Sequence, residues 1–182
     1  MAADDPVVVD MYRIAVTGST GSGKTTCARR LAQITGAPHI ELDALFWEPG
    51  WKQASVEVFR SRVASAVAGD RWVTDGNYAA VRDLYMKSAT KVVWLDFGLP
   101  LVLRRLTRRT FARLIDHEVL FSSNRERWRE LVNPEHPIWW AIRTHADRRR
   151  RYEKSMDERW VRLRNPRELE TWLSKLAAPT AR

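Results

Sequence analysis

A parallel α/β sheet with helices on both faces is the fold class that these 182 residues predict. Three observations predict it. Apolar, β-rich runs alternate along the chain with amphipathic runs of helical spacing, and that alternation builds a parallel sheet with right-handed crossovers. The first apolar run ends on glycine, directly before a turn rich in Gly and Ser. The fourth run, "KVVWLDFG", is apolar at nearly every residue, as a strand covered on both faces must be.

The elements follow in order. "YRIAVTG", Tyr12 to Gly18, reads as a buried strand. "KTTCARRLAQITG" has Cys27, Ala28, Leu31, Ala32 and Ile34 near helical spacing, with Gly36 as its stop. "PHIEL" is a short second strand. Ser55 caps a helix running to Gly69, with Val56, Phe59, Val63, Ala66 and Val67 as its inner face. "RWVTDG" and "KVVWLDFG" are the third and fourth strands. "PLVLRRLTRRTFARLI" is a helix with Pro100 in its first turn. Residues 116–137 are polar and irregular and read as a loop or short-helix insertion. "IWWAIRTHADRRRRYEKSM" is a basic helix, "RWVRLRN" a last strand, and "PRELETWLSKLA" a last helix begun by Pro166. No internal repeat or composition break marks a second domain, so residues 1–182 are expected to form one.

Composition bounds the function. Hydrophobic residues make up 45%, enough for a proper core. No uncharged 18-residue run offers a membrane span, and "MAADDPVVVD" is too acidic and too briefly apolar for a signal peptide. Cys27 is the only cysteine, which excludes an internal disulfide and a cysteine metal cage. A cytoplasmic protein without membrane contact is the expectation. The net charge of +9 is unevenly placed. Leu101 to Arg151 holds thirteen Arg, no Lys and six carboxylates, a net +7. Arginine suits planar, bidentate recognition of phosphate or carboxylate, but composition does not choose between a nucleotide and a nucleic acid.

The strongest signal is "GSTGSGKT", Gly18 to Thr25, which matches G-x-x-x-x-G-K-[ST] at every fixed position between a strand and a helix. Gly18, Gly21 and Gly23 permit positive backbone angles that aim successive N–H groups inward. The next helix turns its positive end to the same anion. This is a Walker A P-loop, and ATP with Mg²⁺ is its expected ligand. Gly18, Ser19, Thr20, Gly21, Ser22, Gly23, Lys24, Thr25 and Thr26 are the candidate nucleotide contacts. Lys24 reaches the outer phosphates and Thr25 offers a hydroxyl to Mg²⁺. A further carboxylate must hold the hydrated ion. Asp75 is the first choice and Asp96 the second, since both end apolar strands.

"GSTGSGKTTCARRLA", "HIELDALFWEPGW", "WVTDGNY" and "VVWLDFGLPLVLRRLTRRT" together resemble the adenylate-kinase-related P-loop proteins known as DNA topology modulation proteins. The resemblance covers about residues 12–115. It implies the three-layer P-loop NTPase fold of nucleoside monophosphate kinases, with a five-stranded parallel sheet, an acceptor region after the second strand and an Arg-rich lid, here about residues 104–137. By that likeness Asp43 orients or deprotonates an attacking hydroxyl. On an extended strand Glu41 and Asp43, two apart, share a face, and at the carboxyl edge of the sheet that face opens toward the acceptor. Phe46, Trp47 and Trp51 then wall the acceptor pocket. Asn77 and Tyr78 border the same crevice, though a turn role serves Asn77 equally well.

Arginines stabilise a migrating phosphoryl group by factors of ~10³–10⁵. Arg104 and Arg108 lie one helical turn apart, as do Arg105 and Arg109. Arg104 and Arg108 are the favoured pair, with Arg109 close behind, and Arg125 and Arg127 are candidates to close over the phosphates. The four residues Arg148 to Arg151 are too dense for one site. The expected function is ATP- and Mg²⁺-dependent phosphoryl transfer to a small-molecule acceptor. Two alternatives stand beside it: a nucleic-acid-associated ATPase using the Arg-rich 104–151 region, and a nucleotide-binding regulator with little turnover. The acceptor and the oligomeric state are open.

Overall fold

Successive residues Ile14, Ala15 and Val16 are each at most 1% exposed, so the first strand is buried on both faces. The computed structural model describes residues 13–116 and 136–178. Its strands are β1 (Arg13–Gly18), β2 (His39–Glu41), β3 (Trp47–Glu48), β4 (Lys52–Gln53), β5 (Trp72–Asp75), β6 (Lys91–Leu95) and β7 (Trp160–Leu163). The helices are α1 (Lys24–Thr35), α2 (Leu42–Phe46), α3 (Val56–Ala66), α4 (Arg82–Met86), α5 (Leu99–Asp116), α6 (Pro137–Ser155) and α7 (Pro166–Ala177). The main sheet runs β2-β5-β1-β6-β7, and every pair in it is parallel.

Strand alternation sorts the core into two layers. Ile14 and Val16 of β1, with Val93 and Leu95 of β6, pack beneath Cys27, Ala28 and Leu31 of α1, Val102 and Leu106 of α5, and Leu169, Leu173 and Leu176 of α7. Ala15 and Val92 point the other way, toward Phe59 and Val63 of α3 and Tyr85 of α4. Helices therefore cover both faces, and the five-stranded parallel sheet is as expected. β1 lies at the centre, where the chain passes to β5 on one side and β6 on the other. Such a switch opens a crevice at the carboxyl ends of the strands.

Local signals fixed most boundaries. Gly36 closes α1 in the left-handed conformation. The Ser55 hydroxyl accepts from Val58 N at 3.3 Å and caps α3. Within α3, Phe59 and Val63 are buried, but Val56, expected inside, is 55% exposed.

One difference matters for function. β2 stops at Glu41, and Leu42–Phe46 turn into the short helix α2. Asp43 therefore stands on a helical turn, and it does not share a strand face with Glu41. The chain then makes a small antiparallel hairpin, with Trp47 opposite Gln53 and Glu48 opposite Lys52. The expected lid, 104–137, begins inside the continuous helix α5. Its remainder, including Arg125 and Arg127, lies outside the described residues, as does most of the expected 116–137 insertion. No helix among the described residues is long and apolar enough to cross a membrane.

Candidate active site

The P-loop joins the end of β1 to the start of α1. Gly18, Gly21 and Gly23 take φ values of +149°, +84° and +93°. At Gly21 the requirement is steric as well, because a Cβ there would lie 2.5 Å from Leu106 Cγ of α5. The loop thus rests on a helix that delivers Val102 and Leu106 to the core, and this contact fixes its curve.

Lys24 donates to the Ser19 carbonyl at 3.2 Å. Burial pushes its ammonium down to about 8, against the opposing attraction of Asp43 and Asp75, while Arg148 and Arg109 push it the same way as burial. Lys24 therefore feels two carboxylates and two guanidiniums from four different elements or their ends.

Asp75 ends β5 and is 4% exposed. Its Oδ2 accepts from Thr25 Oγ1 at 2.5 Å, and its Oδ1 lies 3.1 Å from His39 Nε2. The two residues expected to share a magnesium ion are thus in contact. No group of three His, Cys, Asp or Glu among the described residues is placed to hold a metal. A hydroxyl and one carboxylate are the small donor set with which Mg²⁺ sits beside substrate phosphates. Asp96, the second choice, is spent elsewhere. It accepts from Arg162 at 2.6 and 2.8 Å and pairs with Arg149 at 3.4 Å.

Asp43 Oδ1 accepts from Tyr78 Oη at 2.6 Å. Burial first, and then the Asp43 charge, raise the Tyr78 phenol far above its ordinary range, so it stays a donor. The Tyr78 ring stacks at 4.6 Å from Phe46, which lies 5.0 Å edge-on from both Trp47 and Phe59. Trp51 continues the wall 5.5 Å beyond Trp47. Asp43, Trp47 and Tyr78 are therefore brought together. Glu41 is held aside at 3.4 Å from Arg29.

Two expectations about roles are corrected. Asn77, expected to border the acceptor, is bonded to the P-loop and its neighbours. Its Oδ1 accepts from Thr17 at 2.7 Å and Tyr152 at 2.9 Å, and its Nδ2 donates to the Gly18 carbonyl. It ties the P-loop to β1 and α6. The favoured arginine pair is not brought to the P-loop. Arg104 and Arg108 are on the exposed side of α5. Arg105 donates to the Ser22 carbonyl at 2.9 Å, and Arg109 acts on Lys24. The buried row Val102, Leu106 and Thr110 sets that rotation.

Several residues escaped the sequence reading. His39 holds Asp75. His145 Nδ1 meets Ser19 Oγ at 2.9 Å across 126 residues. Tyr152 bonds Thr17 at 2.6 Å. No spacing announces contacts between residues so far apart. The Asp75–His39 pairing did have a signal, since both residues end or begin strands that prove to be neighbours.

No known family profile matches the chain. In sequence it is 32% identical over 120 residues to the ATP-dependent protease ATPase subunit HslU of Persephonella marina, covering 65% of this chain and 25% of that one. It is 36% identical over 80 residues to the ATP-dependent protease ATPase subunit ClpY of Bacillus velezensis, covering 43% and 16%. The chain spans a quarter or less of the length of these curated relatives. In structure it is similar to a gluconokinase from Sinorhizobium meliloti 1021, with a TM-score of 0.54, 20% identity and coverage of 92% and 94%. Shikimate kinase from Bacteroides thetaiotaomicron gives 0.56, 17%, 91% and 96%. Shikimate kinase from Acinetobacter baumannii, in complex with shikimate, gives 0.55, 19%, 91% and 90%. The chain has the P-loop NTPase fold in its kinase-like form.

Proposed function

We propose that the chain is an ATP- and Mg²⁺-dependent phosphotransferase that moves a phosphoryl group to a small acceptor held near Asp43. One observation carries the reading: two carboxylates act on the ammonium of Lys24, Asp75 bonded to Thr25 of the P-loop helix at 2.5 Å and Asp43 bonded to Tyr78 at 2.6 Å. A nucleotide-binding loop needs only one of them. The second carboxylate, steadied by Tyr78 and walled by aromatics, is suited to an acceptor hydroxyl.

The residues fit Mg-ATP. The cradle has the glycine angles that point amides inward, and Thr25 and Asp75 would hold the ion. When bound, Mg²⁺ supplies charge neutralisation at the phosphates. Lys24 would bind outer phosphate oxygens. Arg109 would offset charge spreading from the transfer. Asp43 would orient the hydroxyl and take its proton, while Trp47 and Trp51 keep water out. The reading takes the chain to belong with the DNA topology modulation proteins that its "LDALFW" and "DGNY" stretches resemble. The gluconokinase and shikimate kinases of like fold are consistent with a hydroxylated metabolite as acceptor.

The test is ADP release against a panel of nucleosides, nucleoside monophosphates, sugars and hydroxy acids. Release should depend on one acceptor class and vanish in Lys24→Ala and Asp43→Asn. Acceptor-dependent release that persists in Asp43→Asn at the wild-type rate would overturn the assignment. A second reading draws on Arg104, Arg108, Arg150 and Arg151, which are all exposed. It makes the chain a nucleic-acid-associated ATPase, and it predicts release that rises with DNA and falls steeply with salt.

A further inference from the structure

Of the four consecutive arginines on α6, three have their charge accounted for. Arg149 pairs with Asp96 and with Glu153, Arg150 pairs with Asp147, and Arg151 is exposed to solvent. Arg148 differs. Its Nη2 donates to Thr144 Oγ1 at 2.9 Å, but its Nη1 is shut off from solvent and has no hydrogen-bond partner. No carboxylate among the described residues pairs with it. Arg148 is half-buried, and a shielded guanidinium nitrogen without a partner is costly, a cost that an arriving anion would remove.

Its surroundings say which anion. The nucleotide side of the crevice already has Lys24, Arg105 and Arg109. Arg148 stands one helical turn beyond His145, the residue that meets the P-loop at Ser19. It is four residues before Tyr152, which bonds Thr17 and Asn77 at the strand ends. Burial pulls Arg148 below the ordinary arginine range, and the like charges of Arg151 and of Arg82, at the start of α4, pull it the same way. Arg82 acts on the Tyr85 phenol and has no carboxylate partner among the described residues. It follows by four residues the Tyr78 that bonds Asp43. Arg148 also acts on Lys24, so its charge reaches both the P-loop lysine and Arg82, the residue that follows the Tyr78 turn.

We propose that Arg148, with Arg82, is an oxyanion subsite for the acceptor, so that the acceptor is a small hydroxylated carboxylate or phosphate monoester and not a neutral sugar or nucleoside. The planar fork of Arg148 takes the oxyanion, and Arg82 adds its charge to the same field. The hydroxyl is left to Asp43. This inference rests on the phosphotransferase reading and narrows its substrate class.

Calorimetry tests it. A non-hydrolysable ATP analogue, AMPPNP, is titrated with Mg²⁺ first. Three anions are then titrated against their neutral counterparts: gluconate against glucitol, shikimate against its methyl ester, and AMP against adenosine. The pair that discriminates separates carboxylate from phosphate. At least one anion should bind about tenfold or more tighter than its neutral counterpart. Arg148→Met should erase that preference, Arg148→Lys should keep part of it, and Arg82→Met should weaken it while the melting temperature shows a folded protein. The loss of anion affinity should exceed any change for AMPPNP by about tenfold. Equal binding of charged and neutral partners overturns the proposal, as does a preference that survives Arg148→Met, or a wild type that binds none of the three anions. Each titration is repeated without AMPPNP. Failure of the phosphotransferase reading shows separately, as no heat from AMPPNP itself, and an Arg148-dependent anion preference then still supports the subsite.

Discussion

Thr25 Oγ1 donates to Asp75 Oδ2 across 2.5 Å, joining the first turn of α1 to the end of β5. The bond brings a hydroxyl and a carboxylate to one point beside Lys24. Asp75→Asn keeps the shape and removes the charge. Loss of such a group typically costs about 10–100-fold in metal affinity. Mg²⁺ affinity in the presence of ADP, read by calorimetry, should fall by that amount, with the nucleotide alone less affected. Unchanged magnesium dependence would assign Asp75 to the fold alone.

Asp96 gives the contrasting prediction. Its side chain is 3% exposed and bound by Arg162, which also lies 4.5 Å over the Trp94 ring. Breaking a buried ion pair is costly, about 3 kcal/mol here because Arg162 keeps Glu153. Asp96→Ala should therefore lower the urea midpoint strongly and leave magnesium affinity where it was. The pair of variants separates two aspartates that the sequence ranks but does not distinguish by role.

That ambiguity shows where legibility ends. Periodicity and caps are local, so the five strands of the main sheet, α1 with Gly36 and α7 with Pro166 could be read directly, whereas the two-residue strands β3 and β4 are too short to show a period. The P-loop could be read because its glycines must recur at fixed spacing. Ile40 and Leu42 alternate like a strand, but the chain turns helical at Leu42, and this moved Asp43 off the expected face. The rotation of α5 depends on Leu106 meeting Gly21, a contact across 85 residues, so the arginine pair facing the loop was not legible. Asn77 is spent on Thr17, Gly18 and Tyr152 for the same reason. Local sequence announces a turn there, and only the packing of α6 shows that its amide is used up.

Asp43 and Tyr78 carry the acceptor side. A positioned general base contributes about 10²–10⁴-fold. Asp43→Asn should lower acceptor-dependent ADP release by that factor with ATP affinity held. Tyr78→Phe removes only the hydroxyl that aims the carboxylate, and about a tenfold loss in kcat is expected, within the worth of one charge-assisted hydrogen bond. A larger effect of Tyr78→Phe than of Asp43→Asn would reverse their roles.

Lys24 links the site to stability. Its folded-state value is about 8, against about 10.4 when unfolded. Below pH 8 both states are protonated and the folded protein bears the full cost, about 3 kcal/mol. Between pH 8 and about 10.4 the unfolded state binds more protons, so stability rises with pH. Lys24→Met should therefore stabilise the nucleotide-free protein by as much as about 3 kcal/mol at pH 7. That figure is already net of the attraction of Asp43 and Asp75. The gain should fade through pH 8 to 10.4 in urea titrations, while nucleotide binding is lost. A gain that grows with pH would contradict the burial of the ammonium.

Gly21 and Leu106 test whether the P-loop and α5 are one unit. Gly21→Ala has two costs. Alanine at φ +84° takes the left-handed region, at about 1–2 kcal/mol. Its Cβ also falls 2.5 Å from Leu106 Cγ, closer than any contact a packed core holds. Leu106→Ala removes that obstacle and opens a cavity instead, for about 2–5 kcal/mol. In the double variant the new methyl occupies part of the space the leucine left. The sum of the single losses should then exceed the double loss by about 1 kcal/mol or more. Urea unfolding of the four proteins measures it. Strict additivity would mean that the loop shifts away from α5 without strain. In that case Gly21→Ala should displace the amides and cost nucleotide affinity more than stability, and the α5 contact would not set the curve of the loop.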